Sequence, residues 1–581
     1  MAIEPQVIEP VPLRTTPVAP RRFEKRGAAG DVYFADFGKA AYGTLQIALP
    51  RDPPPGGATL TVRLGEKLGA DGAAIDRKPP GSVNYREVTL ALRPGTRVYR
   101  LEIPGKPFHR GAASVKTPPE IGEVTPFRYA EIEGCPVPLD GRSLRQLFVH
   151  APFDDRAGDF ECSDATLNAV WDLCGHTMKA TTAFGVYIDG ERERIPYEAD
   201  AYLNQLSHYA FDLDPRVARA TVDHLLAHPT WPTEWSLHMP MMAAADHEAT
   251  GDPVLAARHW DALRKKLLMD RARPEDGLLR AGGIVDWPAG ERDGYNDGVA
   301  DPRQRQQVGP EINTVVNAFY HHALSRMAAL ARALKRDDEA RDLKVKADQV
   351  YAAFNARLFD AARGIYTDGE GSRHASLHAN LFPLAFGLVP AERVAKVADF
   401  VESRGMACSV YAAQYLLEAL FLAGRDSYAM RLITDRGERG WWHMIELGST
   451  MTLEAWDAKF KPNLTWNHAW GAAPANIATR FVLGVRPLEP GYAKLLVAPQ
   501  LGGLKWARGK VPTAKGPLSV KAEDDGRRFR LEVDVPKGTT GARLALPRRD
   551  AGYARVTLDG KVVEGSVADG VGPGRHVLEG R

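Results

Sequence analysis

The sequence has few cysteines, no long apolar run and almost no net charge, and each shortage excludes a class of protein. Its four cysteines are scattered, without the pair spacing of a metal site or of a disulfide framework, so free thiols are expected. No apolar run approaches the roughly 18 residues that a membrane-spanning helix needs. The net charge is +2, which gives no reason to expect a nucleic acid or a membrane surface as a partner.

The first ten residues, MAIEPQVIEP, do not show the basic-then-apolar pattern of a signal peptide. This leaves two locations open. The protein is either secreted or periplasmic, with its signal outside this sequence, or it is cytoplasmic. Nothing in the sequence indicates an oligomeric state.

The hydropathy pattern divides the 581 residues into a β region, an α region and a second β region. Hydrophobic residues make up 44% and charged residues 25%, as in soluble globular proteins, and the length predicts two to four domains. Residues 1–25 contain five prolines and are predicted to form an extended arm. Short alternating runs separated by glycine and proline predict β-sandwich domains over 26–158, with 32–37 and 43–49 as separate strands, and over 486–581.

Helical periodicity extends over residues 159–485, beginning after Ser163, which is predicted to cap the first helix. The clearest pair of helices is predicted at 311–334 and 338–358. Because no fixed-period repeat is visible, we expect a closed toroid of six helical hairpins and not a solenoid. The predicted fold is a multidomain α and β protein, with a central (α/α)6 barrel flanked by the two β-sandwiches.

Three loops of the helical region combine acidic with aromatic residues: DGERERIPYEAD at 189–200, IVDWPAGERDGY at 284–295, and LGSTMTLEAWD at 447–457, which LTWNHAW follows at 464–470. Aromatic rings pack on the C–H faces of sugars and carboxylates bind their hydroxyls, so this mixture favours a carbohydrate site. The structural alternative is a set of salt-bridged helix ends. Since proline favours the first turn of a helix, the first loop is expected to become helical near Ile195 or Pro196.

The first loop resembles a motif of the α-L-rhamnosidases of glycoside hydrolase family 78, roughly DCPxREzLGWxxD, where z is variable. Arg192, Glu193 and Asp200 match the motif, and Asp189 matches its leading Asp if one residue is deleted after it. Tyr197 stands in place of the usual Trp, and Arg194 takes the variable position. The family's second signature, TTxWExW, is similar to residues 449–456 and places Glu454 and Trp456.

Four further stretches carry the same resemblance. The family's SLNHxxxG is similar to residues 464–471, which contain His468, and PGYxxxxxxPxxGGLxWA is present at 490–507. Asp286 and Trp287 resemble the Asp-Trp of a sugar-contacting loop. Residues 36–38 match the Asp-Phe-Gly of the family's N-terminal sandwich.

The resemblance implies an inverting exo-glycosidase that releases terminal α-L-rhamnosyl residues and needs no metal or other cofactor. Its substrate would be a rhamnose-containing glycoside or oligosaccharide. An inverting enzyme needs one carboxylic acid and one carboxylate base on opposite faces of the sugar. Carried over, Glu193 is the acid and Glu454 the base. The implied substrate-binding residues are Asp189, Arg194, Tyr197, Asp200, Asp286, Trp287, Trp456 and His468, of which His468 contacts the sugar or orients the base.

Two other functions remain open at this point. A uronyl hydrolase or a polysaccharide lyase would use the same toroid, and a lyase would draw its base and its uronate-neutralising cation from Tyr187, Tyr197, Arg192 and His468. A non-catalytic carbohydrate-binding protein is the alternative from another class, and the pair of glutamates argues against it.

Overall fold

A computed structural model of the chain describes residues 11–26, 31–231, 233–295, 310–549 and 551–581. The fold combines mainly antiparallel sheets with thirteen α-helices in these residues, in the predicted order of β, α and β regions. No helix within the described ranges is long and apolar enough to cross a membrane. All four cysteines are free, and three of them are buried.

The N-terminal region is one eight-stranded sheet with strand order β1-β8-β3-β7-β4-β5, to which β2 and β6 add by pairing with β3. All of its strand pairs are antiparallel. Its strands are β1 (Arg14–Val18), β2 (Arg22–Arg26), β3 (Val32–Ala48), β4 (Ala58–Gly65), β5 (Tyr85–Leu92), β6 (Val98–Arg100), β7 (Thr125–Glu133) and β8 (Leu144–His150).

Two predictions for this region are corrected. The runs 32–37 and 43–49 belong to a single strand, β3, whose register against β7 shifts between Asp36 and Ala41. The predicted arm is extended, but β1 and β2 within it are strands of the sheet and not a separate segment. Residues 1–10 of the arm lie outside the described residues.

The helical region contains α1 (Ala165–Ala180), α2 (Glu198–Phe211), α3 (Arg216–Ala227), α4 (His238–Thr250), α5 (Val254–Lys265), α6 (Thr314–Ala333), α7 (Asp337–Arg357), α8 (His378–Ala385), α9 (Ala391–Arg404), α10 (Val410–Leu422), α11 (Asp426–Ile433), α12 (Trp441–Glu446) and α13 (Ala473–Ile477). The cap of α1 is Asp164, whose side chain accepts from the Leu167 amide, and not Ser163 as predicted. Helix α2 begins at Glu198, so the predicted start at Ile195 or Pro196 is two to three residues too early.

Six of these helices pack in a circular order. Helix α2 contacts α4, α4 contacts α6, α6 contacts α8, α8 contacts α10, α10 contacts α13, and α13 contacts α2 again. Helices α2 and α10 are buried along nearly their whole length, polar residues included. A helix that is enclosed on every side has no solvent-facing side, so its polar residues are buried together with its apolar ones.

The C-terminal region contains two sheets, with strand orders β12-β13-β17-β20 and β19-β18-β21-β16-β15-β14-β9. Strand β9 precedes α1 in the chain but pairs with β14, so the start of the helical region is tied to the C-terminal sheet. A short hairpin, β10 with β11, lies between α7 and α8. The strands are β9 (Asp159–Cys162), β10 (Phe359–Asp360), β11 (Ile365–Tyr366), β12 (Val485–Pro487), β13 (Lys494–Val497), β14 (Trp506–Val511), β15 (Leu518–Asp524), β16 (Phe529–Val535), β17 (Gly541–Ala545), β18 (Val556–Leu558), β19 (Lys561–Val563), β20 (Val567–Val571) and β21 (Gly574–Gly580).

Candidate active site

A cavity of about 470 Å³ lies where the loops that precede α2, α4, α6 and α13 meet. Its size is in the range of small-molecule sites. Its walls combine acidic, basic and aromatic side chains, as the composition of the three loops predicts. The lining residues are Asp189, Arg192, Glu193, Tyr197, Asp200, Trp231, Trp235, Ile284, Trp287, Pro288, Glu454, Phe460, Lys461, Pro462, Asn463, His468 and Trp470.

Glu454 is the most heavily hydrogen-bonded carboxylate of the cavity. Its Oε2 accepts from Arg192 Nη1 at 2.8 Å and from the Thr465 amide at 3.0 Å. Its Oε1 accepts from Arg192 Nη2 at 3.0 Å and lies 3.0 Å from Lys461 Nζ. The side chain is only 2% exposed. Four donors therefore fix the position of this carboxylate before any substrate arrives.

These contacts also decide the charge of Glu454. Burial by itself raises the pKa of this carboxyl, but the charges of His468, Arg192 and Lys461 and the hydrogen bond from Arg192 outweigh burial and lower the pKa to about 2. Glu454 is therefore ionised at any ordinary pH. A buried, permanently ionised carboxylate next to a cavity can accept a proton from a water molecule held there.

Glu193 lies on the same cavity and keeps one side open to it. Tyr197 donates its hydroxyl to Glu193 Oε2 at 2.8 Å, and Arg192 Nε donates to Glu193 Oε1 at 3.2 Å. The side chain is 33% exposed. Because the other end of the same guanidinium binds Glu454, one arginine separates the two glutamates and contacts both.

Two aspartates lie deeper in the cavity. Asp189 is buried and accepts from the Ile195 amide at 3.0 Å, while Asp200 Oδ1 lies 2.7 Å from His468 Nε2. Burial raises the pKa of Asp189 well above its usual range, and the neighbouring Glu193 carboxylate raises it further, although Arg192 opposes the rise. Burial also raises the pKa of Asp200, against the hydrogen bond from His468. The predicted residues Asp189, Tyr197, Asp200, Trp287 and His468 all reach the cavity with the two glutamates.

The turn that carries Glu193 has two unusual backbone positions. Gly190 has φ 135°, and a Cβ there would lie 2.9 Å from Thr465 Oγ1, so a side chain at this position would collide with the loop that follows Glu454. Arg194 has φ 55°, which is uncommon for a residue other than glycine. Its guanidinium donates to Glu191 Oε2 at 2.9 Å and to the Val124 carbonyl at 2.6 Å.

Three of the predicted substrate-binding residues do not line the cavity. Arg194 is buried in the ion pair with Glu191 on the far side of the turn. Trp456 is fully buried, donates its Nε1 to the Cys408 carbonyl at 2.8 Å, and packs edge-on against Trp441. Asp286 is fully buried and accepts from the Trp287 amide at 2.8 Å, so it orients the loop of Trp287 and does not itself reach the cavity.

The lyase alternative loses one of its candidate bases. Tyr187 does not line the cavity, because it is buried with its hydroxyl 2.7 Å from His208 Nδ1. Tyr197 does line the cavity, but its hydroxyl donates to Glu193. In the described part of the chain, no group of three or more His, Cys, Asp or Glu side chains is arranged to hold a metal ion.

Several lining residues were missed from the sequence. Trp231 and Trp235 lie in a fourth loop that also pairs an acid with aromatics, and the same criterion could have found them. That acid, Glu234, is buried and accepts from the Ile284 amide at 2.9 Å, so it joins two of the loops. Trp470 donates its Nε1 to the backbone carbonyl of Glu454 at 3.0 Å. For Lys461, one of two lysines in a polar loop, the sequence offers no signal.

Similarity to known proteins agrees with this site. The profile of the bacterial α-L-rhamnosidase six-hairpin glycosidase domain matches residues 155–482, and that of the bacterial α-L-rhamnosidase C-terminal domain matches 484–561. A curated protein named α-L-rhamnosidase, from Alteromonas sp. (strain LOR), is 24% identical over 324 residues, which cover 52% of this chain and 32% of the relative. The chain thus spans about a third of the length of this curated relative.

Solved structures show the same fold over nearly the whole chain. The α-L-rhamnosidase from Dictyoglumus thermophilum superposes with a TM-score of 0.77 at 18% identity, covering 98% of this chain and 64% of that chain. The Streptomyces avermitilis α-L-rhamnosidase complexed with L-rhamnose gives 0.75 at 19% identity, with 98% and 54% covered. The Aspergillus terreus enzyme gives 0.76 at 19% identity, with 98% and 64% covered. Because the glycosidase-domain profile alone matches more than half of its residues, the chain belongs to the bacterial α-L-rhamnosidase family.

Proposed function

We propose that this protein is an inverting exo-glycosidase that hydrolyses terminal α-L-rhamnosyl residues of glycosides or polysaccharide fragments. The observation that carries the proposal is that Glu193 and Glu454, which the family motifs nominate separately, line one aromatic-walled cavity and share the guanidinium of Arg192. Membership of the α-L-rhamnosidase family supports the sugar, and the rhamnose complex of the Streptomyces relative supports the ligand class.

In this mechanism Glu193 is the general acid. It protonates the glycosidic oxygen while the bond from that oxygen to C1 breaks and positive charge develops on the ring. Its contact with the Tyr197 hydroxyl holds the carboxyl at the cavity wall, and its partial exposure leaves room for the leaving group. The Tyr197 hydroxyl and Arg192 Nε both donate to it, so its position is fixed by more than one contact.

Glu454 is the general base on the opposite face of the sugar. It accepts a proton from the water whose oxygen forms the new bond to C1, which inverts the configuration at that carbon. A pKa of about 2 keeps Glu454 in the ionised form that a base requires, and it also makes the carboxylate a weak base before substrate binds. The donors Arg192, Lys461 and the Thr465 amide hold the carboxylate in one orientation, which removes the need to order it during the reaction.

The remaining lining residues would bind the sugar ring. Asp189 and Asp200, with His468, offer hydrogen-bond partners to ring hydroxyls, and Trp231, Trp235, Trp287 and Trp470 offer faces to the C–H surfaces. A cavity of about 470 Å³ suits a terminal residue and part of its aglycone, which favours exo-action.

The proposal also covers the arrangement of the helices and the domain boundaries. We infer that the helical region is an (α/α)6 barrel, because α2, α4, α6, α8, α10 and α13 pack in a circular order and the matching family domain is described as six-hairpin. The inferred domains are a β-sandwich at 26–158, in which the single eight-stranded sheet folds over on itself and includes β1 and β2 of the arm, the barrel at 159–485 and a second β-sandwich at 486–581. The pairing of β9 with β14 supports a boundary close to residue 158.

Proton NMR of the reaction with 4-nitrophenyl α-L-rhamnoside tests the activity and its stereochemistry together. The expected first product is β-L-rhamnose, with the α-anomer appearing only later by mutarotation. Absence of turnover on α-L-rhamnosides, with turnover of another aryl glycoside, would contradict the proposed substrate. The α-anomer as first product would contradict inversion, and an unsaturated product would favour the lyase.

The role of Glu193 has a separate test. A dinitrophenyl leaving group departs without protonation, whereas an alkyl leaving group needs it. Replacing Glu193 by Gln should therefore lower kcat far more on an alkyl rhamnoside than on 2,4-dinitrophenyl rhamnoside, and the Glu454→Gln variant should lose activity on both substrates alike. Equal losses of the Glu193→Gln variant on the two substrates would remove Glu193 from the acid role.

A further inference from the structure

The N-terminal region touches both loops that carry the glutamates, and Asn467 is the residue where these contacts meet. Its Oδ1 accepts from the Glu191 amide at 2.8 Å and from the Tyr42 hydroxyl at 3.0 Å. Its Nδ2 donates to Glu66 Oε1 at 3.0 Å. All four residues are buried. One amide side chain thus joins the turn of Glu193, the loop after Glu454 and two residues of the N-terminal region.

On the side of Glu193, residues 106–124 of the N-terminal region bind the backbone of the turn. Ser114 Oγ donates to the Glu193 carbonyl at 2.8 Å, and the Val115 amide donates to the Arg194 carbonyl at 2.9 Å. The ring of His109 lies 2.8 Å from the Glu191 carbonyl through its Nε2. Three backbone carbonyls of the turn are therefore contacted from outside the helical region.

A buried ion cluster reinforces this side. Glu191 is 1% exposed and pairs with Arg194 at 2.9 Å and with Lys106 at 2.9 Å. Arg194 in turn pairs with Glu123 at 2.7 Å. Lys106 and Glu123 belong to the N-terminal region, so charges from both regions balance each other inside one interface. Removal of one partner from a buried ion pair leaves an uncompensated charge, so loss of one of these side chains should disturb the turn.

On the side of Glu454, the connection between β4 and β5 contacts the loop that follows the glutamate. The Ser82 amide donates to the Leu464 carbonyl at 2.8 Å. A Cβ at Gly81 would approach the same carbonyl to 2.8 Å, so the two backbones are as close as a glycine allows. The next residue, Thr465, donates its amide to Glu454 Oε2 at 3.0 Å. A shift of this loop would therefore move one of the donors that hold the Glu454 carboxylate.

We propose, on the basis of the proposed function, that the N-terminal region completes the active site, with Asn467, Glu66 and Lys106 as positioning residues that hold Glu193 and Glu454 at their working separation. None of the three lines the cavity, so each acts through the loops. The rate of an acid–base reaction is sensitive to such placement, and a displacement of about 1 Å can lower it by about 10²-fold.

A donor–acceptor swap between two buried side chains tests the proposal. In the Asn467→Asp variant, assayed at pH 8.5 so that Glu66 is ionised as well, a carboxylate oxygen replaces the donor that faces Glu66, and two carboxylates oppose each other. In the wild type the backbone amide of Asn84 donates to Glu66 Oε2 at 2.7 Å. In the Glu66→Gln variant the new NH2 group therefore faces another donor, either Asn467 Nδ2 or the Asn84 amide. In the double variant the new amide at position 66 donates to the new carboxylate at position 467 and still accepts from Asn84, which restores the pattern.

The expected result on 4-nitrophenyl α-L-rhamnoside is a kcat at least tenfold lower for Asn467→Asp, with KM changed less than threefold. The double variant should recover kcat to within about threefold of the wild type. If Asn467 only stabilised the fold, the Asn467→Asp variant would melt at a lower temperature. Its kcat, measured 20 °C below its own melting temperature, would then equal that of the wild type. That result would overturn the proposal. Failure of the double variant to recover kcat while folded would overturn it as well.

If the Asn467→Asp variant does not fold, the Lys106→Met variant replaces it in the test. Methionine keeps most of the apolar part of the lysine side chain and removes its charge. Its matched control is Lys116→Met, an exposed lysine of the same segment. The expected result is a lowered kcat for Lys106→Met alone, recovered in part by Lys106→Arg. Equal kcat in both methionine variants would overturn the proposal. A wild type without rhamnosidase activity would contradict the proposed function instead, so the two failures are distinguishable.

Discussion

Arg192 donates two hydrogen bonds to Glu454, from Nη1 to Oε2 at 2.8 Å and from Nη2 to Oε1 at 3.0 Å, across 262 positions of the sequence. The residue next to the proposed acid thus holds the proposed base. With Lys461 on the other side, two cations neutralise a carboxylate that is 2% exposed. The two cations, Arg192 and Lys461, explain how Glu454 can be buried and ionised at the same time.

Loss of Lys461 should raise the pKa of Glu454. In the Lys461→Met variant, burial is opposed only by His468, Arg192 and the remaining hydrogen bonds, so the pKa rises above about 2. A general base must be unprotonated, and the acidic limb of kcat/KM should therefore move to higher pH, by about one unit for an interaction of roughly 1.4 kcal/mol. The measurement is the pH profile of kcat/KM.

The matched control for this profile is Lys459→Met. Lys459 lies two residues away, pairs with Glu438 at the surface, and does not line the cavity. Its variant should keep the acidic limb of the wild type. An unchanged limb in Lys461→Met would mean that this lysine does not set the charge of Glu454.

Trp287 and Trp456 should respond in opposite ways to replacement by alanine. Trp287 lines the cavity, so Trp287→Ala should raise KM by about tenfold, equivalent to about 1.4 kcal/mol, with a small change in melting temperature. Trp456 is fully buried, so Trp456→Ala should cost about 3–5 kcal/mol of stability and leave KM of the folded protein unchanged. Steady-state kinetics and thermal unfolding of both variants check the contrast, and a raised KM in Trp456→Ala would restore it as a sugar contact.

Glu66 should make the protein less stable as the pH rises towards 7. Burial raises its pKa from 4.5 to about 7, although hydrogen bonds from Asn467 and Asn84 oppose the rise. The folded state then binds more protons than the unfolded state between these values, so the free energy of unfolding falls as pH increases through that window. The contribution is about 1.4 kcal/mol for each unit of difference in pKa.

In the Glu66→Gln variant this pH dependence should be absent. Denaturant unfolding of both proteins at pH 4.5 and pH 8 measures it, and the variant should gain stability relative to the wild type at the higher pH. Parallel pH profiles of the two proteins would show that Glu66 keeps its ordinary pKa in the folded state.

The family resemblance indicates which residues of the loops come together. It implies Glu193, Glu454, Asp189, Asp200, Tyr197, Trp287 and His468, and all of them line the cavity. It does not indicate the direction of every side chain. Arg194 occupies the position after the proposed acid but has φ 55°, and Trp456 lies two residues after Glu454 but packs on Trp441. An irregular loop has no periodicity from which the direction of a side chain can be read.

The contacts between regions could not be predicted at all. Asn467 and Glu66 are 401 positions apart, and nothing in either local sequence indicates the other. The arm at 1–25 was predicted to be extended, but the pairing of its strands β1 and β2 with β8 and β3 depends on the tertiary fold. In the helices, the error at Ser163 arose because the neighbouring Asp164 supplies the cap. Helix α2 starts later than predicted because Tyr197 keeps an extended backbone.

The most direct test of the central claim is the kcat of the Glu193→Gln and Glu454→Gln variants on 4-nitrophenyl α-L-rhamnoside, with the exposed Glu446→Gln as the control. Loss of a positioned acid or base costs about 10²- to 10⁴-fold, so both variants should fall by at least a hundredfold while the control stays within twofold. A folded Glu193→Gln or Glu454→Gln variant that retains wild-type kcat would contradict the claim that these two glutamates act as a pair across one cavity.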